Sequence, residues 1–225
     1  MSHHREGRWQ PDRFEDLPYR VLLPHHYSLG ERYPLLLFLH GSAERGDDNV
    51  SQLHRGVEVF NTPHVREAFP CIVVAPQAPA GGSFGGAWYP QRWSTQDSVA
   101  RLVGELSTRR TVDPSRLYLA GLSMGAIGGW ELLVRHRALF AAAVLICGEP
   151  KLEWAPNLVG TPIWALHGSR DEVVRPEAAR ALCEDLKRRG SPARWTEYPE
   201  LAHESWDRAF AEPELFPWLF GQRRP

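Results

Sequence analysis

The stretch from Leu117 to Gly125, LYLAGLSMG, constrains this chain more than any other. An apolar run, Leu117 to Ala120, ends abruptly in Gly121, Leu122, Ser123, Met124 and Gly125, and a helix-like pattern follows through Arg135. Strand, sharp turn and helix in that order put a serine at the apex of a Gly-x-Ser-x-Gly elbow. Such a turn strains the serine backbone, and a Cβ at either flank would collide with the adjacent strand or helix, so both flanks need glycine. The geometry lifts the Ser123 hydroxyl clear of the sheet, beside the positive end of the new helix.

The rest of the chain supplies a sheet for that elbow. Residues 1–16 are polar and read as a loosely attached lead-in. Residues 19–23 read as an edge strand stopped by Pro24. Residues 35–39 are continuously apolar between Pro34 and Gly41, as expected for a strand buried on both faces. A loop follows from His40, with Asn49 or Ser51 expected to cap a helix. Residues 71–75, 141–146 and 162–166 are further buried strands, and 193–198 is the last. Residues 94–110 repeat at helical spacing through Val99, Leu102, Val103 and Leu106, and 177–188 also reads as helix. Residues 76–93 form a long irregular segment, and one or two short helices run to Phe220. Buried strands alternating with amphipathic helices predict an α/β fold: a mostly parallel central sheet with helices on both faces. No repeat, low-complexity tract or linker divides residues 1–225, so one domain is expected.

Composition narrows the partners. The formal net charge is −1 and the basic residues are scattered, which argues against a nucleic-acid partner. The cluster at Lys187, Arg188 and Arg189 reads as the solvated end of a helix. Cys71, Cys147 and Cys183, an odd number at wide spacing, speak against a disulfide framework or a zinc site and for a reducing compartment. The charged N-terminus has no apolar stretch behind it and no run reaches membrane-span length, so neither signal peptide nor membrane partner is expected, and a cytoplasmic location is. The acidic loop from Glu44 to Asp48 lacks the alternating spacing of a calcium loop, and no metal is expected.

In open parallel sheets the chemistry lies outside the carboxyl ends of the strands. Among polar residues just past those ends, Ser123, Asp171 and His203 make a nucleophile, an acid and a base in that chain order. A serine hydroxyl attacks well only when a neutral imidazole takes its proton. His203 is the candidate base, and Asp171 would accept its other N–H and stabilise the imidazolium. Glu172 is the alternative acid, and nine other histidines compete with His203. His40 and His167 each precede a glycine at a strand end and read as structural residues packed beneath the site. Charge on a substrate carbonyl oxygen would need the N–H of Met124, at the helix start, and a second donor, the N–H of Ser42.

Taken together, residues 17–24, 33–41, 44–49 and 121–125, His167 and Gly168 with Asp171, and His203 with Trp206 and Asp207 resemble the α/β-hydrolase superfamily. More narrowly, they resemble its small carboxylesterases and predicted peptidases, grouped near dienelactone hydrolases and phospholipase/carboxylesterases. The resemblance covers about residues 17–220. It implies cleavage of carboxylic esters through an acyl-enzyme, without a cofactor. Ala43, Ala126 and Ala202 stand where the group usually has glycine, and true dienelactone hydrolases use cysteine where this chain has Ser123.

No segment between strands is long enough for a large cap domain, so an open cleft is expected. Trp88, Tyr89, Trp93, Trp154 and Trp206 fall in loops on the catalytic side and could line an acyl or aryl pocket. Short-chain acyl esters, or aryl and sugar-linked esters, are the expected small-molecule substrates. The alternatives are an acyl-thioesterase or peptidase of the same fold, and a non-catalytic binding module. The sequence leaves the oligomeric state open.

Overall fold

Seven consecutive buried residues, Tyr33–Leu39, form a strand, β3, at the middle of the sheet. Leu35, Leu37 and Leu39 face one apolar layer, and Leu36 and Phe38 face the other. A strand apolar on both faces must be covered on both. The structure, a computed structural model, describes residues 7–90, 94–109 and 111–224. The other strands are β1 (Gln10–Phe14), β2 (Leu17–Leu22), β4 (Ile72–Pro76), β5 (Val112–Leu122), β6 (Ala142–Ile146), β7 (Ile163–Gly168) and β8 (Arg194–Tyr198). The eight run in the order β1-β2-β4-β3-β5-β6-β7-β8. The pairs β1–β2 and β2–β4 are antiparallel, and the rest are parallel.

Helices cover both faces. Leu102 of α2 (Gln96–Ser107), Trp130 of α3 (Met124–Arg135), Leu158 of the single-turn α4 (Ala155–Leu158) and Leu182 of α5 (Glu177–Arg188) pack in the layer of Leu37. Val65 of α1 (Pro63–Ala68), Phe210 of α6 (Trp206–Phe210) and Phe216 of α7 (Leu215–Gly221) pack in the layer of Phe38. Each fully buried Leu or Phe contributes roughly 1.5–3 kcal/mol. The pattern behind this is plain in α5, which buries Ala179, Leu182, Cys183 and Leu186 on one stripe. Glu177 in its first turn and Lys187 and Arg188 in its last turn suit the helix dipole.

Between β3 and β5 the strand order reverses. The chain leaves β3 for β4 on one side, while β5 lies against its other side. Loops after β3 and β5 therefore diverge and open a crevice at the carboxyl ends of the strands.

Three expectations are corrected. Residues 10–14, read as part of a loose lead-in, form β1, and residues 1–6 lie outside the described residues. Its polar sequence suits an outermost strand, and Tyr19 donates its hydroxyl to Asp12 Oδ2 at 2.6 Å. The edge expected at residues 19–23 is thus β2, paired on both sides. Past His40 no long helix starts at Asn49 or Ser51; 3₁₀ turns at Ser42–Glu44, Ser51–Leu53 and Val57–Asn61 precede α1. There Asp48 does the capping, its Oδ1 accepting from the N–H groups of Val50 and Ser51 at 2.8 and 2.9 Å.

Phe38, fully buried, meets Phe60 edge-on with ring centroids 6.0 Å apart. Phe38→Ala should cost about 3–5 kcal/mol, read as a fall in the midpoint of urea unfolding.

Candidate active site

Ser123 stands between β5 and α3 with φ 50° and ψ −118°, a left-handed region costly for a residue with a Cβ. Its neighbours enforce that conformation. A Cβ on Gly125 would lie 2.0 Å from Leu39 O, and one on Gly121 would lie 2.7 Å from Gly125 O, so α3 can meet the sheet this closely only through glycine. The Ser123 N–H donates to Ile146 O at 2.9 Å, and its C=O accepts from the Ile127 N–H at 2.9 Å. The elbow is thereby stitched to β6 and to α3.

Ser123 Oγ lies 2.9 Å from His203 Nε2, and His203 Nδ1 lies 2.8 Å from Asp171 Oδ2. Two loops make this possible, the one after β7 carrying Asp171 and the one after β8 carrying His203. The first is locked by Asp171 itself, whose Oδ1 accepts from the N–H groups of Val173 and Val174, each at 2.9 Å. Asp171 is therefore a turn-former as well as the partner of His203. The buried His167 Nε2 lies 2.8 Å from Val174 O and 3.1 Å from Asp171 Oδ2; both are acceptors, so that nitrogen carries the hydrogen. Burial alone would raise the Asp171 pKa, but hydrogen bonds from His167, His203 and the Val174 N–H outweigh it and hold the carboxyl well below the usual range. Glu172, the alternative acid, is exposed.

On the other side of Ser123 lies the loop after β3. His40 is fully buried, donates from Nδ1 to Gly41 O at 2.6 Å and accepts at Nε2 from the Ala78 N–H at 3.0 Å. The buried Gln77 secures the same loop: its Nε2 donates to Glu44 O and Asp48 Oδ1, and its Oε1 accepts from the Asn49 N–H. Gln77 was not singled out in the sequence, although it directly follows a strand end, the criterion that found the others. Glu44 and Arg55 were likewise passed over as cleft residues. Glu44 is buried, its Oε1 3.4 Å from Arg55 Nε, and burial raises its pKa despite that cation and the nearby N–H groups of Glu44 and Gly41.

A cleft of about 170 Å³ brings together Ser123, His203, Ser42, Glu44, Arg55, Trp88, Tyr89 and Trp206. Larger depressions exist elsewhere, one of about 910 Å³ between α2 and the end of α3, but that one holds none of these residues. Met124 opens α3, so its N–H faces no preceding turn, and Ser42 lies on the loop across the cleft. Trp88 donates from Nε1 to Glu149 Oε2 at 2.9 Å, Arg45 sits over the Tyr89 ring at 5.5 Å, and the Trp206 ring stands edge-on to His203 at 6.1 Å. Trp154 is not in the cleft. It closes the 3₁₀ turn Leu152–Trp154 and packs on the core beside α4, with Lys151 5.6 Å over its ring. Trp93 lies outside the described residues. Cys71, Cys147 and Cys183 are buried free thiols. Among the described residues no cluster of three or more His, Cys, Asp or Glu side chains is arranged for a metal, and no helix is long and apolar enough to cross a membrane.

Several known proteins are similar to this chain. Residues 85–214 match the model of the dienelactone hydrolase family. A solved structure of a thermostable esterase superposes with a TM-score of 0.89 at 32% identity, covering 96% of this chain and 63% of that one. A probable carboxylesterase of Oryza sativa subsp. japonica is 25% identical over 193 residues, 76% of this chain and 81% of its own length. A bifunctional acetylxylan esterase/xylanase of Neocallimastix patriciarum is 27% identical over 167 residues, 71% of this chain but 22% of its own length. The chain thus spans less than two thirds of the thermostable esterase and of the bifunctional enzyme.

Burial pushes the His40 pKa down to about 4, so the ring is neutral near pH 7. An unfolded chain would bind that proton near pH 6.5, so the stability tied to neutral His40 is present above 6.5 and is lost as pH falls towards 4. Comparing wild type with His40→Gln by urea unfolding, the wild-type advantage should shrink by up to about 3 kcal/mol across that window. Parallel curves would show that His40 does not titrate there.

Proposed function

The chain belongs to the dienelactone hydrolase family, and on that footing we propose that it is a serine carboxylic-ester hydrolase acting through an acyl-enzyme. The observation that carries this reading is the hydrogen-bonded line from Ser123 through His203 to a buried, ionised Asp171. Ser123 Oγ attacks the ester carbonyl carbon while His203 Nε2 takes its proton. Asp171 keeps the other imidazole hydrogen on Nδ1 and stabilises the imidazolium. The carbonyl oxygen, now negative, is met by the N–H groups of Met124 and Ser42. On collapse the alcohol leaves with the proton from His203, and water, activated by the same histidine, releases the acid and restores Ser123. No step draws on a metal or cofactor.

The size of the cleft favours a short acyl group, and Trp88, Tyr89 and Trp206 offer apolar walls for an aryl or sugar-linked ester. The names of two relatives, carboxylesterase and acetylxylan esterase, support an ester substrate.

Wild type should hydrolyse p-nitrophenyl acetate and butyrate, and Ser123→Ala should lower kcat by at least about 10⁴-fold. Asp171→Asn, which leaves the imidazole without its acceptor, should cost about 10⁴-fold. Undiminished turnover by Ser123→Ala would remove Ser123 as nucleophile, and an inert, folded wild type would remove the ester reading.

A further inference from the structure

A second depression, of about 560 Å³, adjoins the cleft and shares Arg55 and Trp206 with it. Nothing in the acyl-transfer steps uses it. Its polar lining carries both signs, Arg55 with Glu58 and Asp207, beside the imidazole of His54. Its apolar lining is Val59, Trp206, Phe210 and Ala211.

Arg55 is placed for contact with a ligand. It is a non-glycine residue at φ 57°, and its own N–H is held by Glu58 Oε1 at 2.8 Å. Strained backbone of this kind persists where surrounding structure enforces it, and it clusters at ligand sites. The guanidinium is half exposed, and its one ion pair among the described residues is through Nε, 3.4 Å from Glu44 Oε1. Its two terminal nitrogens have no hydrogen-bond partner there, so a planar fork of donors stands at the junction of the two hollows. The Asp207 carboxylate, exposed in the same depression, likewise makes no side-chain hydrogen bond or ion pair among the described residues.

The mixture decides the ligand class. An anion would gain from Arg55 but lose against Glu58 and Asp207, which carry the same sign as the anion. A purely apolar group would strip water from three charges without repaying them. A neutral ring bearing several hydroxyls both donates and accepts, and its C–H face suits the apolar wall. We propose that the second depression is the subsite for the alcohol portion of a sugar ester, with Arg55 and Asp207 as its specificity-determining residues. This rests on the ester-hydrolase reading and gives it a substrate class: a monosaccharide unit or chain end esterified by a short acid, whose acyl group sits at Ser123.

The test uses esters of one acid, acetate, and differing alcohols: an O-acetylated methyl β-xyloside, cyclohexyl acetate as the ring without hydroxyls, and p-nitrophenyl acetate. Wild type should favour the xyloside over cyclohexyl acetate by about 10- to 100-fold in kcat/KM, the range that hydrogen bonds to charged groups provide, with most of the difference in KM. Arg55→Met, which keeps the stem but not the fork, and Asp207→Ala should each shrink that ratio about tenfold. Equal use of the two ring esters by wild type would overturn the subsite. So would a parallel loss on all three esters in both variants, which would mark a structural role. Inertness towards all three, p-nitrophenyl acetate included, would remove the ester reading itself and this subsite with it.

Discussion

The contact on which the rest depends is the approach of α3 to β3 at Gly125. A single Cβ there would lie 2.0 Å from Leu39 O, so the helix can begin directly over the sheet only because that atom is missing. The contact forces Ser123 into its left-handed conformation, since the chain must reverse from β5 into α3 within one residue. It also sets the first turn of α3 against the start of the loop after β3, with His40 O 2.8 Å from the same missing atom. The strain at Ser123 is of order 1–3 kcal/mol. The two apolar layers on either side of the sheet are large enough to hold it.

A second organising point is Asp171. Its carboxylate collects the N–H groups of Val173 and Val174, the Nε2–H of His167 and the Nδ1–H of His203. Two of these bonds fold the loop after β7 on itself, and one ties it to the end of that strand. The fourth reaches across to the loop after β8. A single side chain therefore shapes its own loop and fixes the imidazole, so orientation of His203 is a by-product of loop folding rather than a separate device. His40 serves the opposite loop in a comparable way, with both ring nitrogens spent on backbone groups.

These details explain what was legible in the sequence. Strands β3, β4, β6 and β7 announce themselves because both faces are apolar, which leaves an unbroken hydrophobic run. α5 does so through its stripe and its end charges. Ser123, Asp171 and His203 could be singled out as candidates because each is a polar residue just past a strand, and residue type then gives the order of roles worth testing. β1 could not be read: an outermost strand pairs through backbone groups, and its side chains, Asp12 and Arg13 among them, need not be apolar. Trp154 defeated the reading for a related reason. Aromatic character and loop position do not tell which way a ring turns, and this one lies half-buried against the core beside the short α4. Gln77 and Glu44 were hidden because their partners lie far along the chain or in a loop whose path composition does not specify.

The two buried carboxyls that flank Ser123 are treated oppositely by their surroundings, and the proposed chemistry accounts for the difference. Asp171 has a full set of donors and is held ionised beside the imidazole that must bear positive charge. Glu44 has one long ion pair, and its Oε2 has no hydrogen-bond partner among the described residues. Burial raises its pKa, which favours the neutral form over the charged one. A methyl group placed on Gly41 would lie 2.9 Å from that oxygen and 3.8 Å from Ser123 Cβ, and Glu44 and Ser123 line the same small cleft. A full negative charge at that place would oppose the oxyanion, and in a low-dielectric site the opposition would be strong. Burial of Glu44 disfavours its charge where it would do harm, and Arg55 offsets what charge remains, while the donors around Asp171 preserve charge where it helps. The asymmetry is written in hydrogen-bond donors, four on one carboxylate and none on the Oε2 of the other.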